Sequence, residues 1–285
     1  MGVTTARATT GLPRASGSVL TGAGMMLASR LTVAVLGWIG TILIARNLSE
    51  HDWGAYSFIF SLVGIVGLLA DLQISRVVMV ELLDVGDDRE RMKEVVGKYV
   101  GMRFALAAIS YIIVVAIVIV LRHNDPTRYP EDVVVGVVVA GLSFFMASTV
   151  WALVTVCQIR LWLRPVAIAL ALGQLVQLIV TIALYASHRG TIVRFAIPAI
   201  LYDGTAMVFL LFAVRPIVHV RPRIDWPRWR IWLKAALPLA LGSSLATLYF
   251  RIDTVMLSKL DGLTAVGRYQ YGYKFSDILA FVASS

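Results

Sequence analysis

The sequence is short of charge, of cysteine and of polar stretches. Only 15% of its 285 residues are charged while 59% are hydrophobic, so the chain cannot clothe soluble domains in polar surface and reads as a polytopic membrane protein. Its single cysteine, Cys157, lies in an apolar run; a disulfide framework is excluded, and the thiol reads as a small buried hydrophobe. No G-x-x-x-x-G-K-[ST] loop is present to cradle nucleotide phosphates, which excludes ATP hydrolysis by this chain. The four histidines, His51, His123, His188 and His219, sit in or beside connections at unrelated spacings, so neither a metal site nor a cofactor is expected. No G-x-S-x-G elbow marks a nucleophile.

What is there is apolar run after apolar run. Windows of about 20 residues, the length of a helical span, fall near 18–45, 54–80, 99–121, 133–157, 166–187, 191–214, 233–258 and 265–285. The expected fold is therefore all-α, with about eight transmembrane helices. Lys and Arg gather on alternate connections: the polar tail 1–17, the 81–98 segment, the 158–165 turn and the 215–234 segment. The connections between them are shorter and poorer in basic residues, which places the N terminus and the basic loops in the cytoplasm and makes this a multi-pass protein of the cytoplasmic membrane. The net charge of +9 is then largely a topology signal, and nucleic acid is not an expected partner. In IDWPRWRIWLKAALP, Trp226, Trp229 and Trp232 recur every third residue among Arg228, Arg230 and Lys234. That pattern predicts an amphipathic interfacial helix over 226–234 that joins two groups of spans, and the same residues equally fit an ordinary aromatic belt before a span.

An internal repeat is legible. LIARNLSEHDWGAYSF after the first span matches MLSKLDGLTAVGRYQY after the seventh, with Arg46 against Lys259, Gly54 against Gly267 and Tyr56 against Tyr269. A basic residue leaving the span, a glycine and an interfacial tyrosine fit a helical hairpin. The repeat unit is six spans, an even number, so both copies enter the membrane the same way round. The expected organisation is a tail (1–17), a six-helix lobe (18–214), a cytoplasmic amphipathic linker (215–232) and the first two helices of a second lobe (233–285).

The strings LIARNLSEHDWGAYSFIFSLVGIVGLLADLQISR and LPLALGSSLATLYFRIDTVMLSKLDGLTAVGRYQYGYKFSDIL resemble the two signature regions of the polysaccharide-biosynthesis flippases of the MOP exporter superfamily. The resemblance implies a two-lobed transporter around a cationic cavity, moving a lipid-diphosphate-linked oligosaccharide by alternating access. Its partners would be a polyprenyl-diphosphate-linked glycan and membrane lipids. Gln73 departs from the pattern, standing where the family usually has glycine in DLGxS, and Val80 stands where an arginine is common.

Charges inside apolar spans mark the candidate sites, because an ionisable group in hydrocarbon costs several kcal/mol, on the order of 3 to 10 or more. Arg30 falls near the middle of the first span, too deep to snorkel, and reads as a cavity cation together with Arg251 and Lys274. Asp71, Asp203, Asp253 and Asp277 read as coupling or ion-pair groups. Asp71 and Arg76 lie on different sides of their helix and need not pair, so Asp71 is free to balance an arginine of another helix. Arg251 and Asp253, two residues apart, face nearly opposite ways: one lines the cavity while the other pairs with a neighbouring helix. Lys274 and Asp277 are spaced to pair on one face. Two other readings compete. A drug or cation antiporter of the same superfamily predicts a cavity of acids and aromatics, and a glycosyltransferase or polymerase needs larger outer loops than NDPTRYPED. A chain ending after the eighth span that transports nothing is a third.

Overall fold

The computed structural model describes residues 17–86, 88–187, 190–215 and 221–284, and every element among them is an α-helix. In chain order these are α1 (Gly17–Asn47), α2 (Glu50–Asp71), α3 (Ile74–Val85), α4 (Arg89–Asn124), α5 (Glu131–Gly141), α6 (Ser143–Ile159), α7 (Leu163–Ala186), α8 (Ile192–Val214), α9 (Trp226–Leu260) and α10 (Leu263–Ser284). The polar tail lies outside the described residues. Among those described, six segments are long and apolar enough to cross a bilayer, with α2–α3 and α5–α6 each counted as one, and the bent α9 makes a seventh. Eight were expected. The difference is α10, a 22-residue helix that carries Arg268, Lys274 and Asp277 and so is too polar for length and composition alone to mark it.

Short polar residues start the helices where the sequence places them. Ser49 accepts a bond from the Asp52 N–H to begin α2, Asp88 accepts from Glu90 and Arg91 to begin α4, and Asp225 accepts from Arg228 to begin α9. Each satisfies N–H groups that the first helical turn leaves unpaired. Between α2 and α3 the chain breaks at Leu72 and Gln73, both left-handed with φ of 41° and 52°. The family glycine at that second position would adopt this conformation freely; Gln73 adopts it under strain.

Two apolar clusters fill the bundle. One joins α3, α4, α6, α7 and α8 with Trp229, Trp232 and Ala236 of α9. The other joins α2, α4, α5 and α8, with Leu263 of α10 against it. Helix α1 packs mainly along α7, where Ser29 Oγ donates to the Ala167 carbonyl at 2.8 Å, and leaves Leu27, Leu31, Val35 and Ile39 exposed. In a membrane protein such a face meets lipid tails.

The 226–232 part of the expected linker and the seventh span are one helix. Residues 226–234 form the opening turns of α9, and the joint lies further on, as a 50° bend between Gly242 and Thr247. Pro238, which lacks an N–H, and the Gly242–Ser243–Ser244 run supply the breaks that bend a helix. Helices α9 and α10 then pack on α2, where Gly54 and Gly267 meet. A Cβ on Gly54 would overlap the Leu263 carbonyl, and a Cβ on Gly267 would overlap the Glu50 carbonyl. Leu263 precedes Gly267 as Glu50 precedes Gly54, four residues earlier, so the contact is reciprocal between the two repeat copies. That is the signature of a two-fold relation, each copy offering the same patch to the other.

Candidate functional site

A half-enclosed cavity of about 630 Å³ lies between α2, α3, α4 and α6. Small residues open it: Gly64, Gly67 and Ala70 on α2, and Ala147 and Ser148 on α6. Its polar lining is Asp71, Gln73, Arg76, Arg103, Thr155 and Gln158. Phe144 closes one wall against Gly67, where an added Cβ would come within 3.1 Å of the ring.

Among the described charged side chains, Arg103 is the one most removed from water. Its side chain is 2% exposed, and Nη1 donates to Asp71 Oδ1 at 3.0 Å and to the Tyr99 hydroxyl at 3.3 Å. The guanidinium also lies 5.8 Å from the centre of the Tyr99 ring, within cation–π range. Its Nε has no partner among the described residues. Asp71 is far less buried, with 43% of its side chain exposed, and its other oxygen accepts from Gln73 Nε2 at 3.2 Å. The left-handed break at 72–73 thus turns Gln73 back onto the carboxylate at the end of α2. Arg76 stands exposed at the cavity edge.

Arg251 comes from α9 onto Gly64, one of the residues that line the cavity. Its Nη1 donates to the Phe60 carbonyl at 3.1 Å, and its guanidinium rests on Gly64, where a Cβ would come within 2.8 Å of it. Asp253 turns instead to α10, accepting a bond from the Tyr269 hydroxyl and one at 2.6 Å from the Thr254 N–H. Asp203 sits half-buried on α8, away from the cavity, and makes no hydrogen bond or ion pair among the described residues. Its neighbour Gly204 brings α8 against Met146, within 3.4 Å of an added Cβ. Arg30, Lys274 and Asp277 have helical backbones, but their side chains lie outside the described residues. The structure thus places Asp71 in the cavity lining, sets Arg251 against its Gly64 wall, and leaves Asp203 and Asp253 elsewhere. Arg103, which the sequence reading did not single out, is the partner of Asp71.

The start of α9 is bolted beneath this site. Arg228 Nε donates to Glu81 Oε1 at 3.1 Å and its Nη2 bonds the same oxygen; Trp232 Nε1 donates to Glu81 Oε2 at 2.7 Å. Trp229 Nε1 donates to the Lys98 carbonyl at 2.9 Å, and the Lys98 ammonium lies 2.7 Å from Asp225. Gly97 and Gly101 let the backbone at Arg221 and Arg223 press directly on α4, where the Arg223 N–H donates to the Gly97 carbonyl at 2.9 Å. Trp232 also meets the Tyr99 ring edge-on with centres 6.5 Å apart, so a continuous run of contacts leads from Glu81 to Arg103. At the other end of the bundle the α9–α10 hairpin is tied down by Arg268 to Glu50 at 3.0 Å, by Tyr271 to the Ala45 carbonyl at 3.1 Å, and by Arg128 to the Lys259 carbonyl.

A family model described as "Polysaccharide biosynthesis protein" matches residues 19–285. The chain belongs to that family. No curated protein and no solved structure matches it. As a polysaccharide biosynthesis protein built of long apolar helices, it is a multi-pass membrane protein with a role in polysaccharide synthesis. The cavity beside Arg103 is a polar feature set among its described helices.

Proposed function

We propose that this polysaccharide biosynthesis protein is a secondary transporter, not an enzyme, which flips a polyprenyl-diphosphate-linked oligosaccharide across the cytoplasmic membrane. The observation that carries the reading is the cavity itself. Two arginines, Arg76 and Arg103, line one space of about 630 Å³ among apolar helices against one carboxylate, Asp71, and a third, Arg251, rests on Gly64 of its wall. Guanidinium groups hold phosphate through paired charge-assisted bonds that persist away from bulk water. An antiporter of organic cations calls for the opposite balance. The apolar face of α1 offers a route for a prenyl tail, and the two-fold contact at Gly54 and Gly267 is a natural pivot for two halves that open alternately.

The test is surface-glycan display in a strain lacking its own flippase, with membrane protein level measured alongside. Arg103→Gln and Arg251→Gln are expected to lose display at normal abundance, and Arg103→Lys to recover part of it, because lysine keeps the charge but not the planar fork. Normal display from both Gln variants contradicts the reading. The same strain tests orientation: with Cys157 replaced by Ala, a cysteine introduced at Thr127 is expected to react with an impermeant thiol reagent from outside, and one at Pro222 is not. The reverse pattern inverts the proposed direction.

A further inference from the structure

We propose that Asp71 is an exchangeable stand-in anion on Arg103, and that the Arg103 guanidinium is the phosphate subsite of the cavity, taking the diphosphate when Asp71 releases it. This rests on the transport reading above and names the group within it that grips the charged part of the substrate.

The argument starts from the donors. A guanidinium carries five N–H donors, yet both of the Arg103 bonds leave from one nitrogen, Nη1, and Nε is buried without a partner among the described residues. Such a group is a standing cost in a native structure unless something else fills it. Nε belongs to the edge of the guanidinium that pairs with two oxygens of one phosphate. Arg103 also borders the cavity, so a ligand there meets it once Asp71 moves aside.

The two partners in the ion pair are unequal. Arg103 is 2% exposed and fixed between Asp71 and the Tyr99 hydroxyl and ring, whereas Asp71 is 43% exposed. Asp71 is also the last residue of α2, beside two left-handed residues, with Gln73 Nε2 as its second partner. When the pair opens, the carboxylate has solvent and Gln73 to turn to, whereas the arginine keeps only Tyr99, a neutral partner, and needs an anion. The carboxylate therefore leaves and the cation stays. A phosphate oxyanion is the chemistry that fits, whether it comes from a diphosphate or from a phospholipid headgroup, and the experiment separates these sources.

The measurement is equilibrium binding of radiolabelled inorganic pyrophosphate and of farnesyl diphosphate to the full chain in nanodiscs. Arg103→Gln is expected to weaken both at least tenfold. Asp71→Asn is expected to tighten both about fivefold, because it removes the competing charge and keeps the side chain's size. A salt bridge that only supports the fold predicts the opposite sign for Asp71→Asn, so that variant decides the matter even where Arg103→Gln does not accumulate. Unchanged or weaker binding by Asp71→Asn overturns the proposal. The discs are prepared with phosphatidylcholine alone and with added phosphatidylglycerol. Equal affinity in both supports a diphosphate as occupant; a loss confined to the phosphatidylglycerol discs assigns the site to a lipid headgroup and overturns that occupant. Tighter binding by Asp71→Asn in a chain that exports no glycan retires the transport reading and keeps the site, and export insensitive to both variants does the reverse.

Discussion

At the scale of single residues, position 73 shows how a local departure from a family pattern is absorbed. The backbone there is left-handed, a conformation that costs an L-residue about 1–2 kcal/mol relative to glycine, and Gln73 recovers part of that by donating to Asp71. Gln73→Gly is accordingly expected to be close to neutral for thermal stability in detergent, while Gln73→Val, which adds β-branching and removes the bond, lowers stability by about 1–3 kcal/mol. Equal melting temperatures for Gly and Val would show that the break is not strained. Asp71 was legible in the sequence because an acid in an apolar run stands out. Arg103 was not: it comes four residues after Tyr99 near the start of its span, where an arginine reads as interface decoration, and only the fold reveals that it is buried against α2.

At the scale of elements, the repeat in the sequence turned out to be a contact in space. Gly54 and Gly267 were matched as equivalent turns, but nothing in one dimension says that equivalent residues touch; that follows from a two-fold relation between the hairpins. Gly54→Ala and Gly267→Ala each push a side chain into a backbone carbonyl and are expected to destabilise the chain by about 1–3 kcal/mol. The double variant should fall short of the sum, since one separation of the helices accommodates both. Additive losses would place the two glycines at independent contacts. The start of α9 was legible as an amphipathic helix, and α9 as a span, but not as one helix, because Pro238 and Gly242 in the sequence suggest an end and in the fold make a bend. Its attachment also predicts a pH response. The hydrogen-bonded Lys98 ammonium, with the Arg228 N–H, holds the Asp225 carboxyl below the usual carboxylate range. A depressed carboxylate lends its stabilisation fully above the ordinary value and loses it only as pH falls through the depressed one. Protection against hydrogen exchange over 221–232, taken relative to the intrinsic rate at each pH, should therefore be flat from neutral pH down to the usual carboxylate range and fall only below it. Asp225→Asn should lower protection already at neutral pH, and a wild-type loss of protection near neutrality would contradict the assignment.

For the whole molecule, low charge and repeated apolar runs of about 20 residues gave a helical membrane protein, since a run of that length satisfies its backbone within a single span only as a helix. The succession of apolar helices and the family followed from patterns spread over many residues, although among the described residues only six or seven of the eight expected spans are long and apolar enough to cross a bilayer. The cavity did not, because it is made by small residues on α2 and α6 and by one arginine on α4, none of which forms a run. The account therefore rests on whether the cationic cavity moves a diphosphate lipid. The most direct measurement is flipping by the purified full chain in liposomes, using a short-chain prenyl-diphosphate oligosaccharide with a fluorophore that an impermeant reductant quenches on the outer leaflet. Wild type should expose the inner pool to quenching well above the protein-free rate, and Arg103→Gln at equal density should fall back to that rate. Flipping by Arg103→Gln as fast as wild type, or wild-type rates no higher than in empty liposomes, would contradict it.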